Sequence, residues 1–411
     1  MTEDIENIHD DVKQNKFDKA IAITGSMVPI GVAIGNTGFE IIVSLTGLIW
    51  IIRLIIYKDL DLKKLIKHPV ILPSIALYIC ILISLFINNA DINGYMHDIV
   101  TIRHLLFIIA LVDTSYRFPV RKYLFYGMIA GFVYSVVNIL SVNITGYDFT
   151  GRTLARYTSK LKEGSRYPVL LSFYASFFLA WGLLDSKNNL KKRVYILAAG
   201  TTGLLFLSFF HIRTVLISFV AGMFFTMCYA IYKKKSFRLG SFSILIIITS
   251  TIIFFKTTDI LEFASLYDRF YIWKVTFKIW LNNPLFGVGI FSYSDSFYDL
   301  VKSENIKPFL APDGESYYMD VACHAHNSFL QILSCNGLAG LMCALWLALN
   351  VIKLTFKHAS GSGLGIIPWP AVYFTISLIG VSVYDSWYQA LSVFVITFIC
   401  CIDPQKTQLK V

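Results

Sequence analysis

Charged residues are scarce in this sequence. Only 15% of its 411 residues are Asp, Glu, Lys or Arg, whereas soluble domains carry about a quarter. Hydrophobic residues make up 56%, and apolar runs of about 20 residues, the length that a bilayer-spanning helix needs, recur from Phe17 to Cys401. A water-soluble core is therefore excluded, and no stretch is left for a second, soluble domain. We predict a single all-α membrane domain over residues 1–411.

Two other features are missing from the sequence. The first 16 residues are polar and acidic and lack the apolar core of a cleavable signal peptide, so we expect none. The seven cysteines lie mostly inside apolar segments, where a thiol behaves as a small hydrophobe. They predict no disulfide framework.

About twelve transmembrane helices are predicted from the apolar runs. Their approximate bounds are 18–35, 38–56, 69–88, 100–113, 122–143, 168–185, 194–210, 212–232, 241–256, 327–352, 363–382 and 386–402. The +10 net charge lies mainly in loops on one side: if the N-terminus is cytoplasmic, 17 Lys and Arg residues face the cytoplasm, whereas 35–38 and 88–98 have none. The positive-inside rule therefore predicts that both termini are cytoplasmic. We expect lipid contacts and no nucleic-acid partner.

Two outer segments depart from this charge pattern. The loop 144–167 is basic, with Arg152, Arg156, Lys160, Lys162 and Arg166, which indicates either an anionic partner or contact with lipid head groups. The other is the long periplasmic loop, 257–325, between the ninth and tenth spans. In it Phe270, Trp273, Phe277, Trp280 and Leu281 recur at helical spacing before Asn283-Pro284. They predict an amphipathic helix on the membrane surface, with Trp273 and Trp280 as anchors.

Ionisable residues at the outer ends of spans are the candidates for chemistry, because burying such groups is costly and usually functional. They are Arg103, His104, His211, Arg213, His324, His326 and Asp385. Gly337 and Gly340 follow His326 by 11 and 14 positions, which predicts that they share its face of a continuous helix. This face without side chains, which we name the glycine track, would admit either a neighbouring helix or a lipid tail.

Metal sites are not predicted. Cys323, His324 and His326 lack a second pair at zinc-ligand spacing, and Asp59-Leu60-Asp61 lies in a lysine-rich loop, where we expect a solvated charge run. Gly287-Val288-Gly289 indicates a turn, since it neither follows a strand nor opens a Rossmann unit.

Four motifs in order carry a resemblance to a known family. They are Ser208–Arg213, Asp268–Trp273, Asn283–Gly289, and His326-Asn327 followed by Gly337 and Gly340. With the long outer loop, they resemble the O-antigen ligase family of bacterial inner-membrane glycosyltransferases. The resemblance implies a transferase without metal or cofactor that moves a glycan from undecaprenyl diphosphate to lipid A-core at the periplasmic face.

The resemblance also implies roles for particular residues. Arg213 and Arg269 would handle the diphosphate donor, His326 would be the base, and Arg103 and Arg166 would correspond to further basic residues. His211 departs from the family pattern, which leaves open which histidine matters. Independently of the family, arginine suits diphosphate binding and histidine suits proton transfer near neutrality.

Other functions remain compatible with this pattern. An O-antigen polymerase of the same superfamily, or a ligase for another acceptor, would need nearly the same residues. A transporter of lipid-linked glycans is a third possibility, but transporters usually show repeated halves and charges near mid-membrane, and neither is apparent here.

Overall fold

The computed structural model describes residues 16–88, 99–151, 166–185, 189–208, 212–234, 264–306 and 322–401, together with positions 96, 187 and 248. Within these ranges the chain forms helices joined by turns and loops, with no β-strand. The first eight helices are α1 (Lys16–Ile34, with a turn at Met27), α2 (Asn36–Tyr57), α3 (Leu62–Ile66), α4 (Ile71–Ile87), α5 (Ile102–Ser115), α6 (Val120–Thr145), α7 (Arg166–Leu184) and α8 (Leu190–Ser208). They are followed by α9 (Arg213–Lys234), α10 (Ala264–Asn282), α11 (Tyr293–Ser303), α12 (Ser328–Lys357), a 3₁₀ helix (Gly361–Ile366), α13 (Trp369–Ile379) and α14 (Ser386–Cys400).

Seven of the described helical segments are long and apolar enough to cross a membrane. They are α1, α2, α6, α7, α9, α12 and the segment Gly361–Ile379, and α4 and α14 are shorter apolar helices. This confirms the prediction of an all-helical membrane protein. The number twelve stays a prediction, and the predicted ninth span, 241–256, lies outside the described residues except for position 248.

Helix α2 shows how the bundle meets its surroundings. Ile41, Leu45, Leu48, Ile52 and Ile55 follow one another at intervals of three or four residues, and all are exposed. Side chains at this spacing form one stripe along a helix. An apolar stripe of this length suits a lipid environment and would be unfavourable in water.

Helix α7 lies at the centre of the bundle. Every residue from Tyr167 to Leu184 is buried, and the helix packs against α6, α8, α9, α13 and the 3₁₀ helix. A helix that is apolar on all sides is the type that a protein surrounds completely. Because α7 begins at Arg166, this packing fixes the position of that arginine at one end of the bundle, which we name the site end.

The opposite end is held by buried ion pairs. The Arg53 side chain is fully buried; its Nε lies 2.8 Å from Asp18 Oδ1, and its two Nη atoms donate to the Asp59 carboxylate at 2.8 and 2.7 Å. Arg117 donates to Asp113 at 3.1 and 2.7 Å. A buried charge is tolerated only with such partners. Arg117 Nε also lies 3.5 Å from Asp18 Oδ2, so α1, α2 with the loop after it, and α5 are joined.

The Asp59-Leu60-Asp61 segment was predicted as a solvated charge run, and both of its carboxylate residues are exposed in the structure. Asp59 neutralises Arg53, and Asp61 accepts a hydrogen bond from the Lys64 backbone N–H at 3.0 Å, which caps α3. Both carboxylates have specific structural partners.

The predicted surface helix is present as α10 and has two faces. Phe270, Phe277 and Leu281 are exposed, whereas Tyr271 and Val275 on the other face are buried. The helix therefore keeps the exposed apolar stripe that the sequence predicted.

The two tryptophans of α10 each donate a hydrogen bond within the protein, and their predicted role as membrane anchors stays a prediction. Trp273 Nε1 donates to the Ala325 carbonyl at 2.9 Å, and Trp280 Nε1 donates to the Pro284 carbonyl at 3.1 Å. An indole N–H that is withdrawn from water needs such an acceptor. Both side chains thereby connect neighbouring segments of the loop region to α10.

Candidate active site

His326 lies in a short connection that is fixed on both sides. Before it, the Ala325 N–H donates to Gln331 Oε1 at 2.5 Å, and the Ala325 carbonyl accepts the bond from Trp273. After it, Asn327 Oδ1 accepts the first N–H groups of α12 at 3.0 Å, which is the usual helix N-cap arrangement. The connection therefore holds the histidine at the start of α12.

The backbone of His326 is strained. Its φ is +50°, in the left-handed region that costs a residue with a Cβ about 1–2 kcal/mol. Such conformations persist where surrounding bonds hold them, and they concentrate at functional sites. The bonds at Ala325 and Asn327 supply that restraint here, and they orient the imidazole toward the turn that follows α13.

This turn is the centre of the site. Three successive carbonyl groups at its start receive side chains from other helices: Ile379 accepts from Arg269 Nη1 at 2.6 Å, Gly380 lies 3.4 Å from His326 Nδ1, and Val381 accepts from Ser328 Oγ at 2.9 Å. The last carbonyls of a helix have no partner within it and carry partial negative charge. The end of α13 therefore attracts cations and donors.

The turn also brings α9 to the site. A Cβ on Gly380 would lie 2.7 Å from the Thr214 methyl group, so the start of α9 packs directly on this glycine. Arg213 is the first residue of α9. Its side chain, and His211 entirely, lie outside the part that the structure describes.

Asp385 adds a carboxylate to the same turn. Its Oδ1 lies 3.9 Å from His324 Nδ1, and the His324 and His326 rings meet edge to face with centroids 4.2 Å apart. Burial raises the pKa of Asp385 to about 6, although the nearby His326 and Arg166 act to lower it. Burial, and then the field of His324, lower the pKa of His326 to about 4. His326 is therefore neutral at pH 7.

Two further predicted arginines meet on one turn of α2. Arg166 Nη2 donates to Asn36 Oδ1 at 2.5 Å, and Arg103 Nη2 lies 3.5 Å from Glu40 Oε1. Positions four apart lie on the same face of a helix. Asn36 and Glu40 thus hold both cations at the site end.

The structure therefore brings most of the predicted residues together. Arg269 and His326 share the end of α13, Arg166 interacts with Asp385 in that turn, and Arg103 lies beside Arg166 through α2. The carbonyl groups of residues 379–381 were missed, because backbone acceptors have no signature in a sequence. Glu40 had a signal: it is an acidic residue inside an apolar run.

No three His, Cys, Asp or Glu side chains in the described ranges lie close enough together to hold a metal ion.

The predicted continuous glycine track below His326 is wrong. Helix α12 is broken at Gly337, where φ is +64° and ψ is −165°, so Gly337 and Gly340 do not extend one open face from the histidine. A Cβ on Gly337 would lie 2.2 Å from the Leu285 carbonyl carbon and oxygen. The space is occupied by backbone of the segment 283–289.

The segment 283–289 forms hydrogen bonds with the backbone groups that the break in α12 leaves unpaired. Val288 N and Gly289 N donate to the carbonyls of Ser334 and Cys335 at 2.9 and 2.8 Å, and Leu338 N and Ala339 N donate to those of Pro284 and Leu285 at 2.9 and 3.1 Å. A break in a helix leaves backbone donors and acceptors unpaired, and here the backbone of the segment 283–289 supplies their partners. The predicted turn at Gly287–Gly289 is confirmed, since both glycines have positive φ.

Helix α4 and the residue after it also contact the junction, by which we mean the paired backbones of the segment 283–289 and α12. Asn88 Nδ2 donates to the Gly287 carbonyl at 2.9 Å, and Ser84 Oγ donates to the Cys335 carbonyl at 2.8 Å. The segment that follows α10 is thereby attached to both α4 and α12. Because α10 carries Arg269 and α12 begins beside His326, the junction sets the relative position of these two residues.

A family model described as O-antigen ligase matches residues 163–345, which include Arg166, Arg213, Arg269 and His326. A search of curated proteins gave no significant match. The resemblance that the motifs indicated is confirmed.

Proposed function

We propose that this chain, whose residues 163–345 match the O-antigen ligase family model, transfers O-antigen polysaccharide from undecaprenyl diphosphate to lipid A-core. The transfer would take place on the periplasmic face of the bacterial inner membrane, with the site end of the bundle outside. The observation that carries the proposal is the grouping of a neutral His326 with Arg269 and Arg166 around the turn after α13.

The arginines would stabilise the leaving group. As the bond between the anomeric carbon and the diphosphate oxygen breaks, that oxygen gains negative charge, and positioned cations lower the energy of the transition state. A guanidinium has five N–H donors in a fixed fork that matches phosphate oxygens. Arg269 donates one of these to Ile379, which holds the group in place while others can contact the donor.

His326 would be the general base. The acceptor hydroxyl oxygen attacks the anomeric carbon from the face opposite the diphosphate, its proton passes to the imidazole, and undecaprenyl diphosphate leaves with the bonding electron pair. The anomeric configuration is inverted. A histidine can accept this proton only when it is neutral, which its lowered pKa ensures before the donor binds, and the charge of the bound diphosphate then raises its proton affinity.

Purified protein tests this proposal. We expect His326→Ala to lower the rate of transfer from undecaprenyl-diphosphate glycan to lipid A-core by about 10²–10⁴-fold, the usual contribution of a general base. The matched variant His324→Ala retains the base and should lose less. Both should remain in the membrane and keep the parent melting temperature within a few degrees. Normal transfer by His326→Ala would reject the mechanism.

Polymerisation is the second candidate, because the superfamily includes O-antigen polymerases. The same cations and base would serve if the acceptor were another lipid-linked repeat unit. Deleting the gene separates the two functions: cells without a ligase accumulate long lipid-linked chains, whereas cells without a polymerase retain single repeat units.

A further inference from the structure

An apolar groove runs along the bundle between α1 and α6. Its volume is about 540 Å³, and its walls are Ile30 from α1 and a row of residues from α6, with Phe149 beyond the end of α6. Tyr126, Val133 and Val137 in this row are exposed. They span 11 positions, or about 16 Å of helix, which is about half of the hydrocarbon thickness of a bilayer.

Two glycines determine the position of the groove. A Cβ on Gly127 would lie 1.8 Å from the Ser26 carbonyl oxygen, and one on Gly131 would lie 2.6 Å from Pro29 Cβ. Glycines four residues apart allow two membrane helices to approach closely. The backbones of α1 and α6 therefore touch along this line, and the larger side chains beside it form the walls of a furrow. The exposed Ala130 contributes little bulk to its wall.

The groove ends beside the site. Asn138, next to Val137 in the wall, accepts a hydrogen bond from Phe149 N at 3.0 Å and donates to the Tyr167 hydroxyl at 2.6 Å. Tyr167 in turn donates to the Ala33 carbonyl at 2.9 Å. Because Tyr167 directly follows Arg166, this chain of contacts joins the end of the groove to the arginine that interacts with Asp385.

From this arrangement we propose that the groove holds the part of the donor's polyprenyl tail nearest to the diphosphate. The inference rests on the proposed function, since it takes the arginines at the site end as the diphosphate site. A branched, apolar chain attached to a diphosphate has its charged end and its hydrophobic end adjacent, and here a cation and an apolar furrow are adjacent in the same order. An ordinary phospholipid is the competing occupant, and the experiment distinguishes it.

Photo-crosslinking gives the direct test and needs no glycan transfer. The full-length protein in vesicles of phosphatidylethanolamine and phosphatidylglycerol is irradiated with an undecaprenyl diphosphate that carries a diazirine near its diphosphate end, and labelled peptides are identified by mass spectrometry. We expect labelled peptides from α1 and α6, and we expect excess undecaprenyl diphosphate without the diazirine, added before irradiation, to prevent this labelling. Label spread evenly over the exposed helices, or removed equally by added phosphatidylglycerol, would overturn the proposal.

A substitution that fills the groove gives the second test. Ala130→Trp should reduce labelling at least five-fold and raise the KM for an undecaprenyl-linked donor at least ten-fold, while the KM for a diphosphate donor that carries no prenyl tail stays near that of the parent. Ala198→Trp is the control, because Ala198 is also an exposed alanine on an apolar helix, α8, outside the groove. If Ala130→Trp melts early, Ala130→Leu replaces it.

The two proposals can fail separately. Labelling in the groove by a protein that transfers no glycan would reject the ligase function and keep the groove. Normal transfer with unchanged labelling and KM in the folded Ala130 variant would reject the groove and keep the ligase function.

Discussion

Replacing Gly337 by alanine should separate α10 from α12 and thereby disrupt the site at a distance. The φ and ψ of Gly337 lie in a region that is essentially restricted to glycine, and a side chain there costs about 1–3 kcal/mol. The added Cβ would also overlap backbone atoms of Leu285 and Phe286 at 2.2–2.4 Å. Backbone cannot rotate away as a side chain can, so the segment 283–289 must move.

That movement breaks the backbone hydrogen bonds across the junction. Four are present, and each contributes about 0.5–1.5 kcal/mol net, so losing two of them together with the conformational cost gives a loss of about 2–6 kcal/mol. A loss of about 3 kcal/mol would reduce the equilibrium constant for docking of the junction about 100-fold, since about 1.4 kcal/mol corresponds to tenfold. Transfer should fall accordingly, because Arg269 and His326 then lose their fixed separation.

The control is Gly146→Ala at the end of α6. Gly146 also has positive φ, +78°, with ψ at −1°, and a Cβ there meets nothing within 4 Å. Gly146→Ala therefore measures the cost of an ordinary left-handed residue without the overlap. Thermal unfolding of both variants in detergent, with transfer assays, gives the comparison. A Gly337→Ala protein that melts and transfers like Gly146→Ala would refute the assigned role of the junction.

Further predictions concern charge. Arg53→Met should lower stability by about 3–5 kcal/mol, because it leaves Asp18 and Asp59 without their buried partner, yet leave the donor KM of the surviving folded protein unchanged. The pKa of His326 is lowered from 6.5 to about 4, so the contribution of this residue to stability is full above pH 6.5 and is lost as pH falls through 4. Over that pH interval His326→Gln should lose less stability than the parent. The pKa of Asp385 is raised from 3.8 to about 6, so its contribution to stability is full below pH 3.8 and is lost as pH rises through 6. Relative to the parent, Asp385→Asn should therefore gain stability as pH rises from about 4 to about 6, measured by melting. Transfer should persist in excess chelator, since the proposed stabilising charges are guanidinium groups, and its loss, restored by added divalent metal, would contradict this.

The candidate residues were predictable because charge is costly in lipid. Arg103 and His326 stand out against apolar surroundings, and the physical cost of placing them there identifies them without any structure. Arg166 stands out as part of a basic outer loop, whereas Arg269 was identified through the resemblance to the family. Their partners were harder to predict. Asn36 and Glu40 come from another helix, and the acceptors at residues 379–381 are backbone carbonyls, whose exposure at a helix end depends on where that helix stops.

The glycine track shows where sequence reasoning failed. Counting 11 and 14 positions from His326 assumes one uninterrupted helix, and a helical register is lost at a single residue of positive φ. Gly337 supplies that residue because the segment 283–289 passes against it and pairs the groups that the break exposes. No local property of residues 326–340 specifies a partner some 50 positions earlier.

The sequence by itself determined the environment, the helical class and the types of side chain available for chemistry, since these follow from composition, periodicity and the cost of charge in an apolar medium. Only the tertiary structure decided which ends of the helices meet. It joined α10, α12 and the turn after α13 into one site and placed the groove between α1 and α6 beside Arg166. These arrangements depend on packing between residues far apart in the chain, where shape and backbone hydrogen bonding, and not local propensity, select the partners.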